Sequence, residues 1–192
     1  MRPVCAAFLA VSLDGCIARS DGRLDWLDAA NAAAPPGEDF GYAAFYAGID
    51  AVVMGRGTFE TVAGFDVWPF DGKPTTVLTS RPATLSKARF ADKVTTLGAA
   101  PAEVAARCDA AGARRLYIDG GETIRRFLAA GLLDELTLTV IPVALGEGRR
   151  LFGPLEKDLA LDHVTTRTFD CGYVQLAYRV RRDQHRPAPP LS

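Results

Sequence analysis

An α/β fold with a mixed sheet, parallel at its centre and antiparallel at one end, is what this sequence predicts. Short β-rich runs alternate with helical patterns through the first two thirds of the chain, and the last third turns strand-only. The length of 192 residues suits one well-packed domain and is short for two.

Val4–Val11, Ala51–Met54, Thr76–Thr79, Val94–Leu97 and Leu116–Ile118 are short apolar runs followed by turn residues, the pattern of strands. Between them Phe40–Ala47, Thr58–Ala63, Ala102–Ala111 and Thr123–Ala130 read as helices. Pro101 suits the first turn of the third of these, and Gly131 is a natural end for the fourth. Glu135–Val143, Ala160–Phe169 and Tyr173–Arg181 are strand-like, with Cys171-Gly172 as a tight turn between the last two. Ala29–Gly37, alanine-rich and closed by Pro35-Pro36-Gly37, reads as a loop. Residues 1–183 read as one domain, and 184–192, with three prolines, as a disordered tail.

Composition narrows the function. The chain is 48% hydrophobic and 23% charged with a net charge of −1, which argues against a general binder of nucleic acid or anionic membranes. No apolar run reaches the roughly 18–20 residues of a membrane span. Pro3–Leu13 ends in Asp14-Gly15 rather than a small-residue cleavage site, so it reads as a buried strand and the protein as cytoplasmic. Arg179, Arg181 and Arg182 read as a solvated strand end. Cys5, Cys16, Cys108 and Cys171 lack metal-ligand spacing and read as free thiols, with no metal expected. His163 and His185 lie away from every motif and receive no role.

In a mostly parallel sheet, ligands bind at the carboxyl ends of strands, where amides and helix N-termini are available. Four places meet that rule. Met54-Gly55-Arg56-Gly57-Thr58 joins a strand to a helix, with glycines for close approach, a cation at Arg56 and a capping hydroxyl at Thr58. Leu78-Thr79-Ser80-Arg81-Pro82 offers two hydroxyls and a guanidinium, a combination suited to a 2′-phosphate. Asp119-Gly120-Gly121-Glu122-Thr123 opens a helix and allows close pyrophosphate approach, although Glu122 argues against a pure phosphate cradle. The fourth place is Ser12–Ala18. None fits GxGxxG or a Walker A sequence, and each is as readily a βα turn; their order says more than any one.

Together these segments resemble the dihydrofolate reductase family, and more closely its riboflavin-biosynthesis reductase branch. SLDGCIA (12–18), DGRLDWL (21–27), IDAVVMGRGTFETV (49–62), VLTSRP (77–82) and YIDGGETIRRFLAAGLLDELTLTVIPVALGEGRRLF (117–152) carry the resemblance. It implies a three-layer α/β/α fold, with a mixed, mainly parallel eight-stranded sheet and a C-terminal antiparallel hairpin. It also implies NADPH as cofactor. Gly55, Arg56 and Thr58 match the family's phosphate turn, and Leu78, Thr79, Ser80 and Arg81 its 2′-phosphate loop. Gly120, Gly121, Glu122, Thr123 and Ile124 match its pyrophosphate turn, where a cis peptide is usual. Ala10 and Ile17 match contacts to the nicotinamide.

For catalysis the resemblance implies an acid upstream of the GR turn, matched in distance by Asp39 with Glu38 beside it, supported by Thr139. Both acids read equally as helix caps. Asp14 of the SLDG segment is a second candidate acid, or an Asp-Gly turn. Phe8, Trp26 and Phe59 are candidate substrate-pocket residues, with core packing the plain alternative for the aromatics. Three functions are compatible. The first is an NADPH-dependent reductase of a pterin- or pyrimidine-like heterocycle. The second is a riboflavin-pathway reductase of 5-amino-6-(ribosylamino)uracil phosphate, which needs a basic site beyond Arg19 and Arg23. The third is an NADPH-binding module without turnover. A homodimer is expected, with the apolar strand Leu136–Ala144 as its interface.

Overall fold

The computed structural model describes residues 2–155 and 158–182. The chain order is β1 (Val4–Ser12), β2 (Cys16–Ala18), α1 (Asp25–Ala33), α2 (Tyr42–Ala47), β3 (Ala51–Gly55), α3 (Arg56–Val62), β4 (Thr75–Leu78), β5 (Val94–Leu97), α4 (Pro101–Ala110), β6 (Arg115–Asp119) and α5 (Gly121–Ala129). It continues with β7 (Glu135–Ile141), β8 (Arg149–Arg150), β9 (Leu161–Thr168) and β10 (Val174–Val180). The main sheet has eight strands in the order β5-β4-β3-β6-β1-β7-β10-β9, and β2 and β8 form a separate pair. The expected tail and His185 lie outside the described residues.

The chain divides into two compact, interleaved units rather than two successive segments. Among the described residues one contains 2–8 and 41–133, the other 9–40, 134–155 and 158–182. In the first, β1 pairs with β6, β6 with β3, β3 with β4 and β4 with β5, all parallel. Strand β3 is buried on both faces over Ala51–Met54, as a strand covered on both sides requires. Its core gathers Val52, Met54, Phe59, Val77 and Tyr117 with Trp68 and Phe70. In the second unit, β7, β10 and β9 are antiparallel. The expected hairpin turn is present: Gly172 has φ +85°, and its N–H donates to Phe169 O at 2.8 Å. A smaller core packs Trp26 against Ile141 and Tyr173.

Four local expectations need correction. Ala29–Ala33 belongs to helix α1, because Asp25 and Asp28 favour its first turn, Trp26 anchors it, and Pro35 only ends it. Asp39 lies in the loop before α2, exposed rather than sealed on a helix, since Phe40 and Gly41 both take positive φ and delay the helix. Glu38 is exposed beside it and accepts the Phe40 N–H at 2.7 Å, a local turn rather than a helix cap. Leu136–Ala144 offers no dimer edge: β7 lies between β1 and β10, and Leu136 is fully buried.

At the C-terminal end of the described residues, Arg181 pairs with Asp162 and Arg182 with Asp134, as a solvated strand end would. All four cysteines are free thiols. Among the described residues there is no cluster able to hold a metal and no helix long and apolar enough to cross a membrane.

Candidate cofactor and substrate site

In the first unit the carboxyl ends of β3 and β6 interlock through their glycines. A Cβ on Gly120 would stand 1.9 Å from Thr58 Oγ1, and one on Gly55 would stand 3.0 Å from Thr123 Oγ1. Each turn therefore places its threonine where the other lacks a side chain. Gly120 has φ +86° and ψ 136°, a conformation open to glycine almost alone. This joins two of the predicted segments into one backbone platform.

Several details differ from expectation. Glycines, not threonines, begin the helices: Gly55 precedes α3 and Gly120 precedes α5, while Thr58 and Thr123 sit inside the first turns. That inward placement is what lets both hydroxyls meet the opposite glycines. No cis peptide occurs among the described residues; the positive φ of Gly120 turns the chain from β6 into α5 without one. Glu122 is exposed and accepts from Arg125 Nη2 at 2.7 Å, so its charge is partnered along its own helix. Ile124 is buried in the core, its N–H donating to Gly120 O at 2.9 Å.

Beside this platform lies an open cleft of about 580 Å³ lined by Leu78, Thr79 and Ser80 at the end of β4, by Leu97–Ala100 at the end of β5, and by Arg56, Glu103 and Arg126. Two hydroxyls and two guanidinium groups suit an anionic group. Arg81 is exposed and outside this lining. Its N–H donates to Thr79 Oγ1 at 3.0 Å, so the residue shapes the turn through its backbone. Arg126, absent from the sequence-based site, lines the cleft. It stands one helical turn beyond Glu122, a spacing that a helical reading of the GGETIRR segment would have brought to the same end of the sheet.

Also in this unit, Asp119 ends β6 immediately before Gly120. Desolvation pushes its carboxyl up to about 6 from the usual 3.8, against hydrogen bonds from the Gly120 backbone and the Tyr117 side chain. The Tyr117 hydroxyl is itself buried, held well above its ordinary pKa by desolvation and by the nearby Asp119, and its single proton is shared between that carboxylate and Phe8 O at 3.0 Å. A carboxyl desolvated at a strand end is a candidate acid–base group. Phe8 is half-buried and packs edge-on to Tyr42 at 5.7 Å and against Phe45 at 5.0 Å. Phe59, proposed from sequence as a pocket residue, is 0% exposed within the core and 6.4 Å from the Trp68 ring, leaving no face for a ligand.

The second unit holds Ala10, Asp14, Ile17, Trp26, Asp39 and Thr139. Ala10 on β1 packs against the Trp26 cluster, and Ile17 lies on β2. Asp14 does not fit the role of proton donor. Its carboxylate accepts from Ser12 Oγ at 2.6 Å, Leu145 N at 3.1 Å and Gly146 N at 2.8 Å, and these bonds, the Ser12 bond foremost, hold its pKa down to about 2. It is an anchor joining the β1–β2 turn to residues 145–146.

The sign of its pH effect follows. A carboxylate depressed below the usual 3.8 adds stability above about pH 4, and that contribution is lost as pH falls toward 2. Thermal melts of wild type and Asp14→Asn should therefore differ most above pH 4 and converge toward pH 2. A gap of constant size across that range would contradict the anchor.

Thr139 is buried and accepts from Gln175 Nε2 at 3.0 Å, and the same amide donates to Phe40 O at 2.8 Å. Gln175 thus ties Thr139 to the backbone beside Asp39. Its position opposite Thr139 on β10 becomes visible only once the hairpin register is known. Trp26 is 5% exposed, and its Nε1 has no hydrogen-bond partner among the described residues. A buried donor left this way costs about 1–3 kcal/mol, so Trp26, unlike Phe59, stays a substrate-side candidate.

Pairing of β2 with β8 sets Cys16 opposite Arg150 and Ala18 opposite Arg149. This adds two cations to the neighbourhood of Arg19 and Arg23, which are themselves paired with Asp25 at 2.7 Å and Asp21 at 2.6 Å. The approach is close: a Cβ on Gly148 would stand 2.6 Å from Ala18 O.

Fold and strand-end platform together define a dihydrofolate reductase-like α/β protein. Residues 3–175 match the RibD C-terminal domain family, and the chain belongs to it. It is 36% identical over 174 residues to the Bacillus subtilis protein YwjB, covering 89% of this chain and 94% of that one. Among solved structures, it resembles a Shewanella sp. PV-4 protein assigned to riboflavin biosynthesis, at 36% identity and TM-score 0.83, over 93% of this chain and 99% of that one. The fold is also that of a pyrimidine reductase-like protein from Corynebacterium diphtheriae (18% identity, TM-score 0.65, covering 94% of this chain and 93% of that one). A Thermotoga maritima diaminohydroxyphosphoribosylaminopyrimidine deaminase/5-amino-6-(5-phosphoribosylamino)uracil reductase shares it too. There the identity is 15% and the TM-score 0.70, over 94% of this chain but 57% of that one.

Proposed function

We propose that this chain is an NADPH-dependent reductase of a small pyrimidine-like heterocycle, with the 5-amino-6-(ribosylamino)uracil phosphate of riboflavin biosynthesis as the first acceptor to test. The observation that carries the reading is the interlocked Gly55–Thr123 and Gly120–Thr58 platform beside a cleft lined by Arg56 and Arg126. Its residues fit a dinucleotide: the N-terminal amides of α5 can meet a pyrophosphate, and the guanidinium-lined cleft takes a further phosphate. Membership of the RibD C-terminal family and the uracil reductase activity in the name of the Thermotoga relative support the acceptor class.

When bound, NADPH supplies the hydride. The chain's own part is to fix the dinucleotide at Gly55, Thr58, Gly120 and Gly121 and to hold a proton at Asp119, whose carboxyl titrates near 6.

Loss of absorbance at the NADPH band on adding the ribosylaminouracil phosphate is the expected result. Oxidation with a pterin or an unphosphorylated pyrimidine instead would move the substrate away from the riboflavin pathway. Tight NADPH binding with no oxidation by any of them would leave a binding module.

A further inference from the structure

We infer that Arg126 is the residue that makes this site select a 2′-phosphorylated dinucleotide, an inference that rests on the NADPH reading above. Three charged side chains line the cleft beside the two hydroxyls of Thr79 and Ser80, and their partners differ. Arg56 Nη1 is paired with Glu60 at 2.6 Å, and Glu103 is paired with Arg107 at 2.6 Å. Both ion pairs are four residues apart on one helix, so each charge is partly compensated before any ligand arrives.

Arg126 differs. Its Nη2 donates to Ala99 O at 3.2 Å, and no carboxylate pairs with it among the described residues. A neutral carbonyl holds this guanidinium at the rim and leaves its charge uncompensated. Of the three groups it stands to gain most from a dianionic phosphate, which a guanidinium can grip through two parallel hydrogen bonds.

Glu103 gives the inference a second consequence. A carboxylate in the same lining repels a 2′-phosphate but can accept a hydrogen bond from a 2′-hydroxyl. With Arg126 in place, the balance favours the phosphate. Without it the remaining lining, a compensated arginine and a carboxylate, should favour the hydroxyl. Removal of Arg126 should therefore shift preference toward NADH rather than weaken both ligands alike.

The test is titration of wild type, Arg126→Ala, Arg126→Lys and Glu103→Gln with NADPH and with NADH, read by quenching of protein fluorescence. Arg126 is exposed on α5 and the substitutions leave the core intact. Arg126→Ala should weaken NADPH on the order of 30-fold, the effect of losing a charged hydrogen-bond partner, while NADH changes less than about threefold. Arg126→Lys should recover part of the loss, and Glu103→Gln should raise the preference for NADPH. Wild type that binds neither dinucleotide overturns the NADPH reading itself. Wild type that prefers NADPH, with the same preference in Arg126→Ala, overturns the role of Arg126 alone.

Discussion

Gly120→Ala is expected to lower stability by about 3 kcal/mol or more and to abolish dinucleotide binding. Two effects combine. The new methyl group would stand 1.9 Å from Thr58 Oγ1 and 3.2 Å from Thr58 Cβ, and Thr58 lies in the first turn of α3, where another χ1 rotamer still leaves the Cβ contact. The backbone at φ +86° and ψ 136° is in addition unfavourable for any residue with a Cβ. The two can be separated. Thr58→Ala added to Gly120→Ala removes the closest contact and should restore part of the lost stability, leaving about 1–3 kcal/mol of backbone strain. Denaturant unfolding of the single and double variants measures both. If Gly120→Ala unfolds at the wild-type midpoint, the interlocked platform is wrong.

Asp119→Asn should move activity and stability in opposite directions. Burial lifts this carboxyl to about 6, above the 3.8 of an exposed aspartate. A group whose folded pKa is raised gives its full contribution below about pH 4 and loses it as pH climbs through 6. Above that range the fold carries an ionised carboxylate at a cost on the order of 3 kcal/mol. The amide removes that cost, so the variant should be more stable than wild type at pH 7 to 8, with the difference vanishing near pH 4. Turnover should fall by about 10²–10⁴-fold if Asp119 supplies the proton, and the wild-type inflection near pH 6 should disappear from the rate profile. Equal turnover in both proteins would remove Asp119 from the chemistry and leave the proton to another group.

Much of the architecture is legible in the sequence because local signals agree there. Val94–Leu97 is both predicted and observed, and α4 is displaced by one residue because Pro101 itself opens it. Gly131, at φ +64°, follows α5 as its composition suggests. The failures have physical sources. Helix α1 is hidden by Pro35-Pro36-Gly37, which mark where a helix stops but say nothing about the residues before them. Strands β2 and β8 are three and two residues long, too short for any periodicity.

At the site, the glycine turns are readable because glycine and threonine at strand ends carry meaning by themselves. Asp14 and Asp39 are misleading for the opposite reason. A carboxylate's role depends on its burial and its partners, and neither is encoded by spacing. Asp14 has three donors converging on it, Asp39 is exposed, and Asp119 is desolvated beside Tyr117. Arg126 is not legible because it reaches the cleft from α5, a helix distant in sequence from the TSR segment whose Thr79 and Ser80 share the lining.

The strand-end platform is proposed to bind a 2′-phosphorylated dinucleotide. Isothermal titration of the wild-type chain with NADPH and NADH tests it most directly. Saturable NADPH binding, one molecule per chain and at least about tenfold tighter than NADH, or about 1.4 kcal/mol, is the predicted result. Absence of NADPH binding at millimolar concentration, or equal affinity for the two, would contradict it.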